Sequence, residues 1–468
     1  MRAAAPATCG DLAHLARPLG PWDPAALFEA FAGHGPACLL ESGLAGATGR
    51  WSVVVPEAAA VLAAKGCSVT FAGPGDPVAR PLAGEPLHLV RRLLRQRARP
   101  PVAGLPPFQC GLVGMVGYEL VRQWERLPAT TVDDTGLPEL YLLVADRCLV
   151  VDHDAGRLWA LARGPEAERW VAEAGERLAA GPGPRPRPEP LRLAAPPRSH
   201  WSPAAYEARV ARILDYIRAG DIFQANLSHR FQAPVAGGTP WGLYRRLREI
   251  NPAPFGGYLA GEGFAVVSNS PERLLRVADR WVESRPIAGT FPRPRAAAEL
   301  AAAARALRAH PKERAEHLML VDLIRNDLGR VCLYGSVEVD ELLVTESYSH
   351  VVHLVSNVRG RLHPKRDRID CLRACFPGGT ITGVPKVRCM EILDELEPYA
   401  RGPYTGSLLY LSDAGAMDAN ILIRTAVVTG GRCLFHVGGG IVADSDPARE
   451  YRETLHKAAA LEAALAGE

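Results

Sequence analysis

Residues 255–278 read FGGYLAGEGFAVVSNSPERLLRVA. Three short apolar runs, Phe255 to Leu259, Phe264 to Ser268 and Leu274 to Val277, follow one another with only brief Gly-, Ser- and Pro-containing turns between them. Such spacing leaves no room for a helix, so consecutive strands run antiparallel. Upstream, Ile222 to Phe231 alternates Phe223, Ala225 and Leu227 against Gln224, Asn226 and Ser228, the period of a strand. Downstream, strands fit Leu408 to Leu411, Ile421 to Val428 and Cys433 to Val437. The pattern predicts an α+β fold on antiparallel sheets rather than a doubly wound parallel one.

Helices fit residues 165–180, Ala296 to Ala309, Pro311 to Asn326, Val384 to Leu396 and Pro447 to Ala466. Ser202 followed by Pro203 reads as an N-cap and first helical position, opening a helix that stops at Ala219-Gly220. The segment GPGPRPRPEPLRLAAPPRSH, 181–200, carries seven prolines and reads as an exposed linker or long surface loop. It divides the chain into an N-terminal region, 1–180, and a motif-rich region, 201–468.

A chain of 468 residues, 48% apolar and 22% charged, can bury a large core without staples. Its net charge of +3 gives no reason to expect a nucleic-acid partner. Ten cysteines show no zinc spacing and read as reduced, buried thiols. The first residues lack an apolar stretch, so no signal peptide is expected, and no run of 18 apolar residues spans a membrane. A cytoplasmic location follows.

Carboxylates stand where they are costly. Glu313 and Glu316 share one side of the helix at 311–326, in line with Leu320 and Leu323. Glu450 and Glu453 share a side of the last helix with Lys457. Two helices each offering two carboxylates can hold one hard divalent cation, and Mg2+ takes one or two protein carboxylates together with an anionic ligand. An ordinary Glu-Lys helical pair, or a boundary glutamate beside Lys312, Arg314 or Arg325, remains the alternative. The glycine clusters FPGGTITGVPK, 376–386, and VGGGIVADS, 437–445, each precede a helix. Exposed amides there favour an anionic ligand, with Lys386, Arg424 and Lys457 as cationic partners; a tight turn is the plainer reading.

These segments form one ordered series: PKERAEHLMLVDLIRNDLGRV, FPGGTITGVPK, DELEP, RGPYTG, IRTA, GGGIVADS and EYRETLHKA. The series, spanning about residues 200–460, resembles the chorismate-utilising enzymes. Earlier in the chain LLES, 39–42, and GYEL, 117–120, fit the same arrangement. The resemblance implies two large, mostly antiparallel sheets packed together with helices outside. It implies Mg2+ held by Glu316 and Glu453, with Glu313 and Glu450 beside them. Thr290, Gly378, Gly379, Lys386, Arg424, Lys457 and the backbone of Gly438, Gly439 and Gly440 would bind substrate, and His353 and Tyr404 would line the pocket. Glu272, in SNSPERLL, would be the general acid for a departing C4 hydroxyl. Ser42 matches a position that binds feedback tryptophan in anthranilate synthases; a buried structural role is the alternative.

Relatives that add water carry a lysine where this chain has Gln224, and glutamine cannot deprotonate water. An amine nucleophile follows. NPAPFGGYL, SNSPERLL and FPGGTITG are similar to aminodeoxychorismate synthase component I, which predicts 4-amino-4-deoxychorismate as product, with a separate lyase releasing 4-aminobenzoate for folate. Ala288 stands where many of those enzymes have a nucleophilic lysine, as in anthranilate synthases, so anthranilate remains the alternative product. A non-catalytic binding protein is the third reading. No glutaminase module is visible, so a glutamine amidotransferase subunit is expected to supply ammonia.

Overall fold

The three runs that open the argument form the strands Phe255–Ala260, Phe264–Ser270 and Arg273–Ala278, but they do not share a sheet. The computed structural model describes residues 7–44, 48–73, 79–294, 296–347 and 351–466. Among these, all sheet ladders are antiparallel and make two sheets, of 14 and 12 strands. Phe255–Ala260 pairs with Phe264–Ser270 in the first. Arg273–Ala278 pairs with Trp281–Arg285 and Met417–Asn420 in the second. The chain therefore changes sheets at Pro271-Glu272.

It changes back in the same neighbourhood. The expected continuous strand from Ile421 to Val428 is broken: Met417–Asn420 lies in the second sheet and Thr425–Thr429 in the first. Between them Arg424 takes a left-handed φ of 51° and Ile423 N–H donates to the Ile421 carbonyl. The two crossings are stitched together. Ile421 N–H donates to the Glu272 carbonyl at 3.0 Å, and Asn269 N–H to the Arg424 carbonyl at 3.2 Å.

Both regions of the chain build both sheets. Ala37–Glu41 pairs with Phe255–Ala260, and Gly111–Val116 pairs with Ser407–Ser412. The alternation of Gly111–Val116 explains the layering. Val113 and Met115 join the cluster of Cys38, Val53, Val266 and Leu408 between the sheets, while Leu112 and Val116 face Val321, Ile324 and Leu328 of the Pro311–Gly329 helix. On the outer face of the first sheet, Phe231, Phe435 and Val437 meet Leu243 and Leu461 of two further helices. The α+β architecture of two large antiparallel sheets with helices outside is thus present.

The Pro-rich segment is not a free tether. Its prolines pause between Pro190 and Pro196, and in that window Leu191 is buried and Arg192–Leu193 adds to the edge of Gln224–Gly237. Arg198–Ser199 pairs with the same strand. Proline tolerates an edge because only one side of the backbone needs partners. All ten cysteines are unpaired and eight are buried. No helix among the described residues is long and apolar enough to cross a membrane.

Candidate active site

Two long strands near one edge of the first sheet make the floor. Gln224–Gly237 and Arg432–Ile441 pair with Asn226 opposite Gly440 and Ser228 opposite Gly438. The triple glycine, which reads from the sequence as exposed amides or a tight turn before a helix, lies inside this ladder. Its pairing with Thr425–Thr429 reaches only Phe435, so Gly438 to Gly440 run on beyond that neighbour. The space explains the glycines. A Cβ on Gly438 would lie 2.7 Å from the Leu227 carbonyl oxygen and 2.9 Å from the Tyr404 hydroxyl. One on Gly440 would lie 2.5 Å from Gln224 Nε2, and one on Gly439 would face Glu450 Oε2 at 3.6 Å and Lys457 Nζ at 3.7 Å. Gln224 and Tyr404 therefore crowd one face of this bare stretch of backbone, and Glu450 and Lys457 stand over the other.

The acid helices are Pro311–Gly329 and Pro447–Ala466. Lys457 Nζ stands 2.8 Å from Glu453 Oε1, while Lys312 Nζ lies 3.8 Å from Glu316 Oε1 and 3.8 Å from Asp444 Oδ2. Burial raises the Glu316 carboxyl above its usual range, and Glu313, Glu450 and Asp444 push it the same way against Lys312. Glu450 is raised by burial and by Glu453. Burial would raise Glu453 too, but Lys457 beside it brings it below the usual range. Negative charge from both helices thus accumulates in one place, and Glu316 Oε1 is buried without a hydrogen-bond partner among the described residues. An orphaned oxygen amid like charges fits a hard cation. The side chains are not closed on such an ion: no group of three or more potential ligands converges among the described residues. Glu313 also packs on the opposite wall, where a Cβ on Gly289 would meet its Oε2 at 2.9 Å.

That wall is the strand Ile287–Pro292, which carries Ala288 on a bulge: Ile287 faces Val355 and Thr290 faces His353, three steps against two. Gly289 takes φ +83° to allow it. His353 is buried, and burial followed by the nearby Arg424 charge lowers its imidazole to about 4. His317, unforeseen in the sequence, reaches the wall from the acid helix. It sits 2.7 Å from Ser356 Oγ, and burial lowers it to about 4.

Glu272 stands on the sheet crossing and is 5% exposed. The partners that would make it structural are taken: Arg273 pairs with Asp418 and Arg285 with Glu346. Burial lifts its carboxyl from 4.5 to about 7, against the Thr380 hydroxyl and the Ile287 amide that face it. A carboxyl held protonated near neutrality is equipped to give up a proton.

Three expected residues are placed otherwise. Lys386 Nζ is bound to Asp327 Oδ2 at 2.6 Å and to the Cys375 carbonyl at 3.2 Å, so its charge is already matched. Gly378 and Gly379 serve packing: Cβ atoms there would meet Ile421 at 2.8 Å and Leu323 at 2.2 Å. The residues that brace the floor escaped the sequence reading. Buried Arg401 holds Glu397 at 2.7 Å and donates to the carbonyls of Asn226 and Ile381, and Glu397 accepts from Ser228 N–H at 2.8 Å. Asn226 shares a strand face with Gln224 and donates to the Thr380 carbonyl at 3.2 Å; period-two spacing from Gln224 was the signal for it. Away from this site, Ser42 lines a separate cavity of about 340 Å³ with Glu41, Arg50 and Tyr410, its hydroxyl donating to the Pro254 carbonyl at 3.0 Å.

Comparison with known proteins agrees with this arrangement. The chain is 45% identical to anthranilate synthase component 1 of Streptomyces coelicolor over 81% of its own length and 77% of that protein. It is 42% identical to aminodeoxychorismate synthase component 1 of Bacillus subtilis over 77% and 78%. The crystal structure of anthranilate synthase component I from Streptococcus pneumoniae superposes with a TM-score of 0.78 at 32% identity, covering 90% of this chain and 93% of that one. A profile described as chorismate binding enzyme matches residues 38–463, and the protein belongs to that family.

Proposed function

We propose that this protein is the synthase component of a cytoplasmic anthranilate synthase, aminating chorismate with ammonia supplied by a glutamine amidotransferase subunit. The observation that carries this reading is Ala288. It occupies the bulge between His353 and the acid helix, where a nucleophilic lysine would stand for the 4-amino route. The other lysines near the site cannot replace it: Lys312, Lys386 and Lys457 each face a carboxylate. The motif text favours the 4-amino product, but the position against it is the one that touches the chemistry. The relatives' names also favour the 2-amino product, at 45% identity against 42%.

The chain's own residues do the following. Arg424, Lys457 and the backbone of Gly438 to Gly440 hold the substrate carboxylates beside Tyr404. Glu272 gives its proton to the C4 hydroxyl as the C–O bond breaks. Ammonia bonds at C2 and the ring double bonds shift to displace that hydroxyl. Gln224 faces the site without a basic group, so water is not activated as a competitor. His353, neutral at physiological pH, is the base available for the C2 proton as pyruvate leaves and the ring becomes aromatic. Glu316 and Glu453, with Glu313 and Glu450 nearby, would hold Mg2+, which supplies Lewis-acid stabilisation of charge on the ring carboxylate.

The test is product identity. The purified chain with chorismate, Mg2+ and ammonium chloride should release anthranilate and pyruvate by NMR with no second enzyme. Accumulation of 4-amino-4-deoxychorismate, converted only after a pyruvate-releasing lyase is added, would reinstate the other branch.

A further inference from the structure

The second acid helix, Pro447–Ala466, meets the floor in two unlike ways. Glu450, Thr454, Ala458, Leu461 and Leu465 lie along its buried side. Toward the C-terminal end, Ala458, Leu461 and Leu465 pack in one apolar cluster with Phe435 and Val437. Toward the other end, Glu450 and Lys457 stand over Gly439, which offers no side chain to pack against. Apolar contact is non-directional, whereas a hydrogen bond fixes both distance and angle. The height and rotation of the carboxylate-bearing end therefore depend on its polar contacts to the floor.

The buried contact is made by Thr454. It is 0% exposed, and its Oγ1 lies 2.9 Å from His229 Nε2. His229 faces Val437 across the floor ladder, two residues on from Leu227, which faces Gly439. It therefore shares the strand face over which Glu450 and Lys457 stand. The hydrogen bonds run in one direction. Thr454 Oγ1 donates to the Tyr451 carbonyl at 2.7 Å, so it accepts from His229, and Nε2 carries the proton. Burial lowers the imidazole to about 3, so the ring is neutral and Nδ1 is an acceptor. The Ser199 hydroxyl, 2.8 Å away, donates to it, and Ser199 Oγ in turn accepts from Trp201 N–H at 3.1 Å. Ser199 lies in the short strand Arg198–Ser199 at the end of the Pro-rich segment.

We infer that His229 is a positioning residue for the acid cluster: through Thr454 it sets where Glu450 and Glu453 stand over the floor, and Ser199 holds it in the tautomer that does so. Thr454 follows Glu453 directly and lies one turn after Glu450, so a shift at its hydroxyl moves both carboxylates. The inference rests on the Mg2+ reading above.

Titration calorimetry of Mg2+ into the chain saturated with chorismate, with no nitrogen source, tests it. Thr454→Val keeps the shape and removes the hydroxyl, whereas Thr454→Ser keeps the hydroxyl. The first should weaken Mg2+ binding about tenfold, and the second should stay within about twofold of wild type. Ser199→Ala leaves the helix untouched and should weaken binding in the same direction; it decides alone if Thr454→Val does not fold. In steady-state kinetics the Mg2+ concentration giving half-maximal rate should rise in both weakened variants while the KM for ammonium stays put. Wild-type Mg2+ affinity in both Thr454→Val and Ser199→Ala overturns the inference. So does an equal loss in Thr454→Val and Thr454→Ser, which would make Thr454 a packing residue. A wild-type chain that binds no Mg2+ overturns the metal reading itself, a separate result.

Discussion

The Lys457 ammonium donates to the Gly438 carbonyl oxygen at 3.1 Å. That contact ties the second acid helix to the floor strand, and a Cβ on Gly438 would crowd the Leu227 carbonyl oxygen at 2.7 Å and the Tyr404 hydroxyl at 2.9 Å. Gly438→Ala should therefore lower stability by about 1–3 kcal/mol through overpacking against Leu227 and Tyr404. Calorimetry would show Tm falling by several degrees, and kcat/KM would fall with it. A variant with wild-type Tm would show that the floor has slack.

Glu272 links stability to pH. Its folded carboxyl titrates near 7 against 4.5 when unburied. Below pH 4.5 folded and unfolded chains both hold the proton, and Glu272→Gln should match wild type in urea unfolding. Between 4.5 and 7 the unfolded chain ionises first, so native Glu272 becomes progressively destabilising, by up to about 3 kcal/mol above pH 7. Glu272→Gln should then be the more stable protein at pH 8 and inactive at every pH. A stability difference independent of pH would contradict the buried acid.

Glu316 should show the same exchange of stability for function. Burial and neighbouring carboxylates already disfavour its charge. In EDTA, Glu316→Gln should unfold at or above the wild-type temperature by calorimetry. Its Mg2+-dependent turnover should fall by about a hundredfold or more. Unchanged turnover would make the metal assignment untenable.

The cavity around Ser42 separates regulation from structure. Titration calorimetry should show one L-tryptophan bound per chain, abolished in Ser42→Phe, with inhibition of turnover only where it binds. Absence of heat with the wild-type protein would leave Ser42 as a packing residue held by Pro254 and Ser52.

Much of this was legible in the residues. Alternation at Gln224 and the strand runs at 255–278 gave the antiparallel class, and the spacing of Glu313, Glu316, Glu450 and Glu453 pointed to the acid cluster. What stayed hidden is tertiary. The triple glycine read as exposed amides or a tight turn because glycine weakens strands, and only the crowding on both faces of the floor strand explains it. The strand Glu338–Ser347 escaped because it is an exposed edge without an apolar alternation. The break at Ile421 to Arg424 is imposed by the change of sheet, not by a local breaker. The Asp327–Lys386 and Glu397–Arg401 pairs look like ordinary surface charges until burial is known.

The central claim is that carboxylates from two distant helices share one divalent ion in the presence of substrate. Titrating Mg2+ into the chain saturated with chorismate, with no nitrogen source, measures it directly. One ion should bind per wild-type chain, and either Glu316→Gln or Glu453→Gln alone should abolish binding. If each single variant keeps a full-affinity ion, the two helices do not share it and the account fails.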